Sequence, residues 1–122
     1  MNIEFYNLPD GSQPALDFMD TLEPKMRAKM IRAVDLLEKY GYMLRPPESK
    51  ELDDGIMELR VSFGNNITRM LYFFFIGNTA VLTNGFVKKT QKTPKKEIQL
   101  AKKYRADYMR RYSHENLRIE FA

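Results

Sequence analysis

The sequence contains no cysteine, which excludes a disulfide framework and any thiolate metal site. It also lacks a long apolar run. The longest, Met70 to Ile76, is far too short to cross a bilayer, which takes about 20 residues as a helix. The opening Met1-Asn-Ile-Glu4 has neither a basic n-region nor an apolar h-region. No signal peptide is therefore expected, and a cytoplasmic protein is the default. Histidine is nearly absent: His114 is the only one, so two histidines cannot form an acid–base couple. No internal repeat or low-complexity segment is visible. With 122 residues the expectation is one domain over 1–122, large enough to fold without staples.

Charge is present, but unevenly spread. The chain carries a formal +4, and ten Lys or Arg stand against two acids, Glu97 and Asp107, between Lys88 and Tyr112. That stretch is therefore +8 and the remainder −4. Such asymmetry suits attraction to nucleic acid or an acidic partner, although a solvated, lysine-rich helix explains it equally well.

The stretch from Glu58 to Thr93 reads as a meander of three strands. Glu58 to Phe63 alternates polar and apolar residues, the period of a half-buried strand. Gly64-Asn65-Asn66 is turn chemistry, because Gly and Asn tolerate the positive φ of tight hairpins. Ile67 to Ile76 is a longer strand rich in β-branched and aromatic residues, and Gly77-Asn78 turns the chain again. Thr79 to Val87 is the third strand, followed at once by Lys88, Lys89 and Lys92. Arg60, Arg69 and the lysine run thus fall on neighbouring strands, from which they could converge on one polyanion.

Around this meander, Asn2 to Tyr6 alternates as a short strand. Pro14 suits a first helical turn, and Ala15, Leu16, Phe18, Met19 and Leu22 share a face. A second helix is predicted from about Pro24 to Tyr40. Its stripe is Met26, Met30, Ala33, Val34 and Leu37, and Gly41 serves as its C′ residue. Pro46-Pro47 interrupts the connector that follows, and Lys50 to Leu52 forms or approaches a strand. Thr93-Pro94 reads as an N-cap and N1 pair opening a basic C-terminal helix. The tail 113–122 holds a strand-like Leu117 to Phe121. The expected fold is α+β: an N-terminal helical hairpin packed on a small antiparallel sheet, with a basic C-terminal helix.

Three sets of residues carry a resemblance: Glu58-Leu59-Arg60, Thr68-Arg69-Met70-Leu71-Tyr72, and Gly85-Phe-Val-Lys-Lys-Thr-Gln-Lys-Thr-Pro94. In this element order they resemble the RelE/HigB superfamily, and its phage-derived, HigB-like branch of toxins in particular. The likeness covers nearly the whole chain to about Tyr112. It implies a RelE-like toxin of a type II toxin–antitoxin pair that cuts mRNA, usually on the ribosome. The implied partners are a helix-turn-helix antitoxin, mRNA and the ribosome, with no membrane.

RNA cleavage by its own 2′-hydroxyl needs a base, stabilisation of the phosphorane and a proton for the leaving oxygen, but no metal or other cofactor. Arginine fits the stabilising role because its planar fork matches phosphate and stays charged. A lysine cluster can depress one member's pKa enough to make a base. RelE-like toxins have a basic, histidine-poor site. The resemblance assigns its strand positions to Arg60, Arg69, Lys88 and Lys89, and the lysine before the meander to Lys50. Lys92, Lys95 and Lys96 are read as general phosphate attraction.

Glu58 is read first as half of a cross-strand ion pair, and second as a base or proton shuttle. Tyr72 is expected in the core; Tyr104 and Tyr108 are expected to pack, with base stacking as the alternative. His114 is read as incidental. HigB relatives often carry a histidine where this chain has Phe86 and Val87, so a degenerate, inactive toxin stays among the readings. So do a non-enzymatic nucleic-acid-binding module and a protein-interaction domain.

Overall fold

The residues from Met70 to Phe75 are apolar on both alternating sets, which a strand tolerates only when both its faces are covered. In the computed structural model they lie in β4 (Asn66–Phe75), the middle strand of five. The structure describes residues 1–89 and 91–121, with side chains to residue 112. Its elements in order are β1 (Asn2–Phe5), α1 (Pro14–Asp20), α2 (Pro24–Tyr40), β2 (Ser49–Asp53), β3 (Ile56–Phe63), β4, β5 (Thr79–Lys88) and α3 (Lys95–Phe121). A short 3-10 turn, Gly41–Met43, follows α2.

The sheet order is β1-β5-β4-β3-β2. The three strands of the meander are consecutive neighbours, and β2 adds antiparallel to β3. β1, however, pairs parallel with β5. The sheet is therefore mixed, not the antiparallel one expected, and the chain starts in it with a strand. The helices correct the expectation too. α1 lies against β5 and α2 against β3, with little contact between them. They are separate props on one face of the sheet, not an N-terminal hairpin. Their stripes face the sheet because the pleat offers each a continuous apolar bed: Leu59, Met70, Tyr72, Ala80 and Leu82 meet Met19, Met26, Met30, Ala33 and Leu37.

The alternate residues of the same strands, Ile56, Leu71, Phe73, Val81 and Phe86, meet Ala101 of α3 on the other face, with Tyr104 and Tyr108 beside them. A meander this apolar thus carries a helical layer on both faces, where a layer on one was expected. α3 continues to Phe121, so the strand-like Leu117 to Phe121 is helical backbone. The side chain of His114 lies outside the described residues. Among the described residues no helix is long and apolar enough to cross a membrane.

One close approach aligns the layers. Gly85 of β5 sits beneath Phe18 of α1: a Cβ there would lie 2.6 Å from Phe18 Cε2. Only glycine lets α1 come down onto β5 at this point.

Candidate functional site

The β3–β4 turn sets the register of the site. Gly64 takes φ +63°, a conformation glycine adopts at no steric cost. The two-residue turn pairs Phe63 with Asn66, and Arg60 then falls directly opposite Arg69. Residues directly opposite on an antiparallel pair share a face. Arg60 and Arg69 therefore point together to the α3 side of the sheet, with Glu58 two residues along β3 on that same side.

These three side chains form one cluster. Glu58 Oε2 lies 3.1 Å from Arg60 Nη2, and Glu58 Oε1 lies 3.2 Å from Arg69 Nε. Thr93 donates its hydroxyl to Glu58 Oε1. Glu58 is 1% exposed and Arg69 0%, whereas the side chain of Arg60 is 21% exposed. Arg69 lies over the ring of Phe86, 5.5 Å from its centroid. Desolvation costs several kcal/mol per buried ion, so such a group persists only with good pairing. Here two guanidiniums share one carboxylate. Burial first, and then the charge of Arg60, pull the Arg69 pKa below its ordinary value, while Glu58 opposes both. Positive charge in a dehydrated setting attracts an anion more strongly than the same charge in water.

The connector from β5 to α3 closes over this cluster. Arg60 Nη1 donates to Gln91 Oε1 at 2.9 Å, and Nη2 donates to the Gln91 carbonyl at 2.6 Å. Arg60 Nε is buried and has no acceptor among the described residues. Thr93, expected to cap α3, spends its hydroxyl on Glu58 instead. The carbonyl of Pro94 accepts the first helical N–H groups, those of Glu97 and Ile98. Thr93 therefore ties the start of α3 to the buried carboxylate.

The structure separates the other candidates. Lys50 stands opposite Glu58 in the β2–β3 register, and Lys88 opposite Ile67 in the β4–β5 register. Both belong to the arginine face by the pleat, and both are exposed at its rim. Lys89 is exposed just past the end of β5; Lys92 is exposed in the connector and Lys95 and Lys96 in the first turn of α3. None of Lys50, Lys88, Lys89, Lys95 or Lys96 makes an ion pair among the described residues. The cations further along α3 differ. Lys102 pairs with Asp53 at 2.5 Å and Arg105 with Asp54 at 2.9 Å, while Arg111 pairs with Asp107 at 2.9 Å. The first two pin the helix to the β2–β3 turn, whereas Arg111–Asp107 lies within the helix, where Asp107 is shared with Arg110. Lys88, Lys89, Lys95 and Lys96 lie at the sheet end that carries Arg60.

Arg69 is thus brought into the cluster but not to the surface, contrary to its expected display on the sheet. Its burial follows from β4 being central and covered on both faces. Gln91 and Thr93 were not among the sequence candidates for the site. The Thr-Pro pair signals a helix start, which gave Thr93 a local role, and nothing local marks Gln91. The expectations for the aromatics hold. Tyr72 is fully buried and hydrogen-bonded to Ser49. Tyr104 stacks on Tyr6 with centroids 4.6 Å apart, and Tyr108 packs edge-on against Phe73 and Phe75.

Residues 17–106 match the sequence family described as Phage derived protein Gp49-like (DUF891). This span runs from within α1 into the first half of α3 and contains α2, the whole meander and every residue of the cluster. No curated protein matches the chain.

Proposed function

The chain belongs to the family of phage-derived Gp49-like proteins, a family related to the toxins of toxin–antitoxin systems, and on that premise we propose that it is the toxin of a type II pair, a RelE/HigB-like endoribonuclease acting on mRNA at the ribosome. One observation carries the reading. A cross-strand pair of arginines, clamped by one buried carboxylate, sits at the sheet end that also carries Lys88, Lys89, Lys95 and Lys96.

In this mechanism the RNA's own 2′-hydroxyl attacks the adjacent phosphate, leaving a 2′,3′-cyclic phosphate and a 5′-hydroxyl. Arg60, the partly exposed member of the pair, meets the phosphorane oxygens. Arg69 acts from behind it as a positioning residue, sharing Glu58. Lys88, Lys89 or Lys50 takes the proton of the 2′-hydroxyl and returns one to the leaving 5′-oxygen. Lys92, Lys95 and Lys96 hold the strand by its phosphates. The partner is a helix-turn-helix antitoxin that covers the arginine–lysine end of the sheet.

The test induces wild type, Arg60→Ala and Lys96→Ala in cells and maps mRNA ends by primer extension. Loss of one donor to the phosphorane is expected to slow cleavage about 10²- to 10³-fold, and Lys96→Ala is expected to keep cleaving. If Arg60→Ala cuts as fast as wild type, the site is misassigned. A second reading, nucleic-acid binding without cleavage, is favoured by the complete burial of Arg69. It expects the wild type to bind RNA yet neither cut mRNA nor slow growth.

A further inference from the structure

We propose that Gln91 is an internal competitor for a phosphate at Arg60, holding the guanidinium ready until a phosphate of single-stranded RNA displaces it. The inference rests on the reading of this face as RNA-binding. Gln91 presents two oxygens, its Oε1 and its carbonyl, to the two terminal nitrogens of Arg60 at 2.9 and 2.6 Å. Phosphate meets a guanidinium with the same pattern of two oxygens on two nitrogens.

The occupant is weaker than the ligand it imitates. Both Gln91 oxygens are neutral, whereas a phosphate oxygen adds the attraction of a full negative charge to its hydrogen bonds with the guanidinium. Arg60 has a donor to spare, since its buried Nε has no acceptor among the described residues.

The connector is built for local exchange. Gln91 is exposed and gives up little buried surface on leaving, whereas Thr93 is buried and bonded to Glu58. Glu58 Oε2 stays on Arg60 when Gln91 departs, so the guanidinium keeps its aim. Lys88, Lys89, Lys95 and Lys96 flank the position and favour a polyanion over a lone ion.

Binding, not cleavage, tests this. Wild type, Gln91→Ala and Gln91→Glu are titrated with a 2′-O-methyl oligoribonucleotide, which cannot react, and separately with inorganic phosphate. Removing one solvent-exposed hydrogen bond from the competitor is expected to tighten oligonucleotide binding by Gln91→Ala about 3- to 10-fold. Gln91→Glu, a charged competitor, is expected to weaken it by at least as much. In an Arg60→Ala background the two are expected to bind alike, and phosphate is expected to follow the same order at lower affinity.

A purely structural role for Gln91 moves both variants in the same direction or neither, and that result overturns the proposal. So does a difference that persists without Arg60, or a polyglutamate peptide that displaces the oligonucleotide more readily than phosphate does. A chain that binds in the expected order but never cuts mRNA overturns the cleavage reading and leaves this one standing.

Discussion

Glu58 holds two guanidiniums and a hydroxyl on one carboxylate that is almost fully withdrawn from water. Replacing it by Gln keeps the shape and removes the carboxylate that Arg69 pairs with. Removing one partner of a buried pair costs about 3–5 kcal/mol, and Glu58→Gln is expected to lower unfolding stability by about that amount. Urea denaturation at unchanged slope reads it, and an unshifted midpoint would show that the pair is not formed. Tyr6 gives a second residue-scale test, in alkali. Burial, and then the hydrogen bond it donates to Asp107 at 2.7 Å, push its pKa up to about 12. The folded state thus holds this proton more tightly than the unfolded state, where the pKa is about 10. The stabilisation is complete below pH 10 and is lost as pH rises from 10 towards 12. Tyr72 and Tyr104 are raised in the same direction, chiefly by burial. Tyr6→Phe is expected to make the alkaline fall shallower without removing it. Denaturation midpoints from pH 9 to 12 decide, and coincident slopes would exclude the bond to Asp107 as a contributor.

Between elements, the contact most exposed to a single change is α1 on β5. Alanine at Gly85 would place its Cβ 2.6 Å from Phe18 Cε2 and 3.0 Å from the Arg69 carbonyl. The backbone cannot yield easily, so α1 must lift from the sheet. Overpacking of this kind costs about 1–3 kcal/mol. Gly85→Ala is expected to destabilise within that range, and Phe18→Ala in the same chain is expected to recover part of the loss. A double-mutant cycle measures the coupling, about 0.5–3 kcal/mol for residues in contact. Strict additivity would mean that Phe18 does not lie over Gly85.

Across the whole molecule, the charge asymmetry along the sequence becomes an asymmetry in space. Lys102 and Arg105 in the middle of α3 are tied to acids, and Lys95 and Lys96 at its start face solvent near Arg60. Salt dependence separates the two groups. For a single-stranded oligoribonucleotide, each phosphate contact adds about 0.7 to the slope of log affinity against log salt. Lys96→Ala is expected to reduce the slope by about that much. Lys102→Ala, already neutralised by Asp53 at 2.5 Å, is expected to leave it unchanged. Fluorescence anisotropy from 50 to 200 mM salt resolves the difference, and equal effects would mean that the ion pair does not withdraw Lys102 from the interface.

Much of this protein was decided within short windows of its sequence. The stripe Met26, Met30, Ala33, Leu37 and the proline at residue 24 set α2, because helical period and capping chemistry act over a few residues. The turn at Gly64-Asn65 placed Arg60 opposite Arg69, because a two-residue hairpin loop leaves no freedom in register. Alternation in Asn2–Phe5 marked a strand but not its neighbour. A strand edge offers the same donors and acceptors to any partner, and only the packed layers placed β1 parallel to β5. The burial of Arg69 likewise required knowing that helices cover both faces of β4, a fact spread over α1, α2 and α3. The grip of Gln91 on Arg60 and of Thr93 on Glu58 joins residues 31 and 35 positions apart. Contacts at that separation exist only once the sheet and α3 have met, so the tertiary structure alone decided how the basic site is closed.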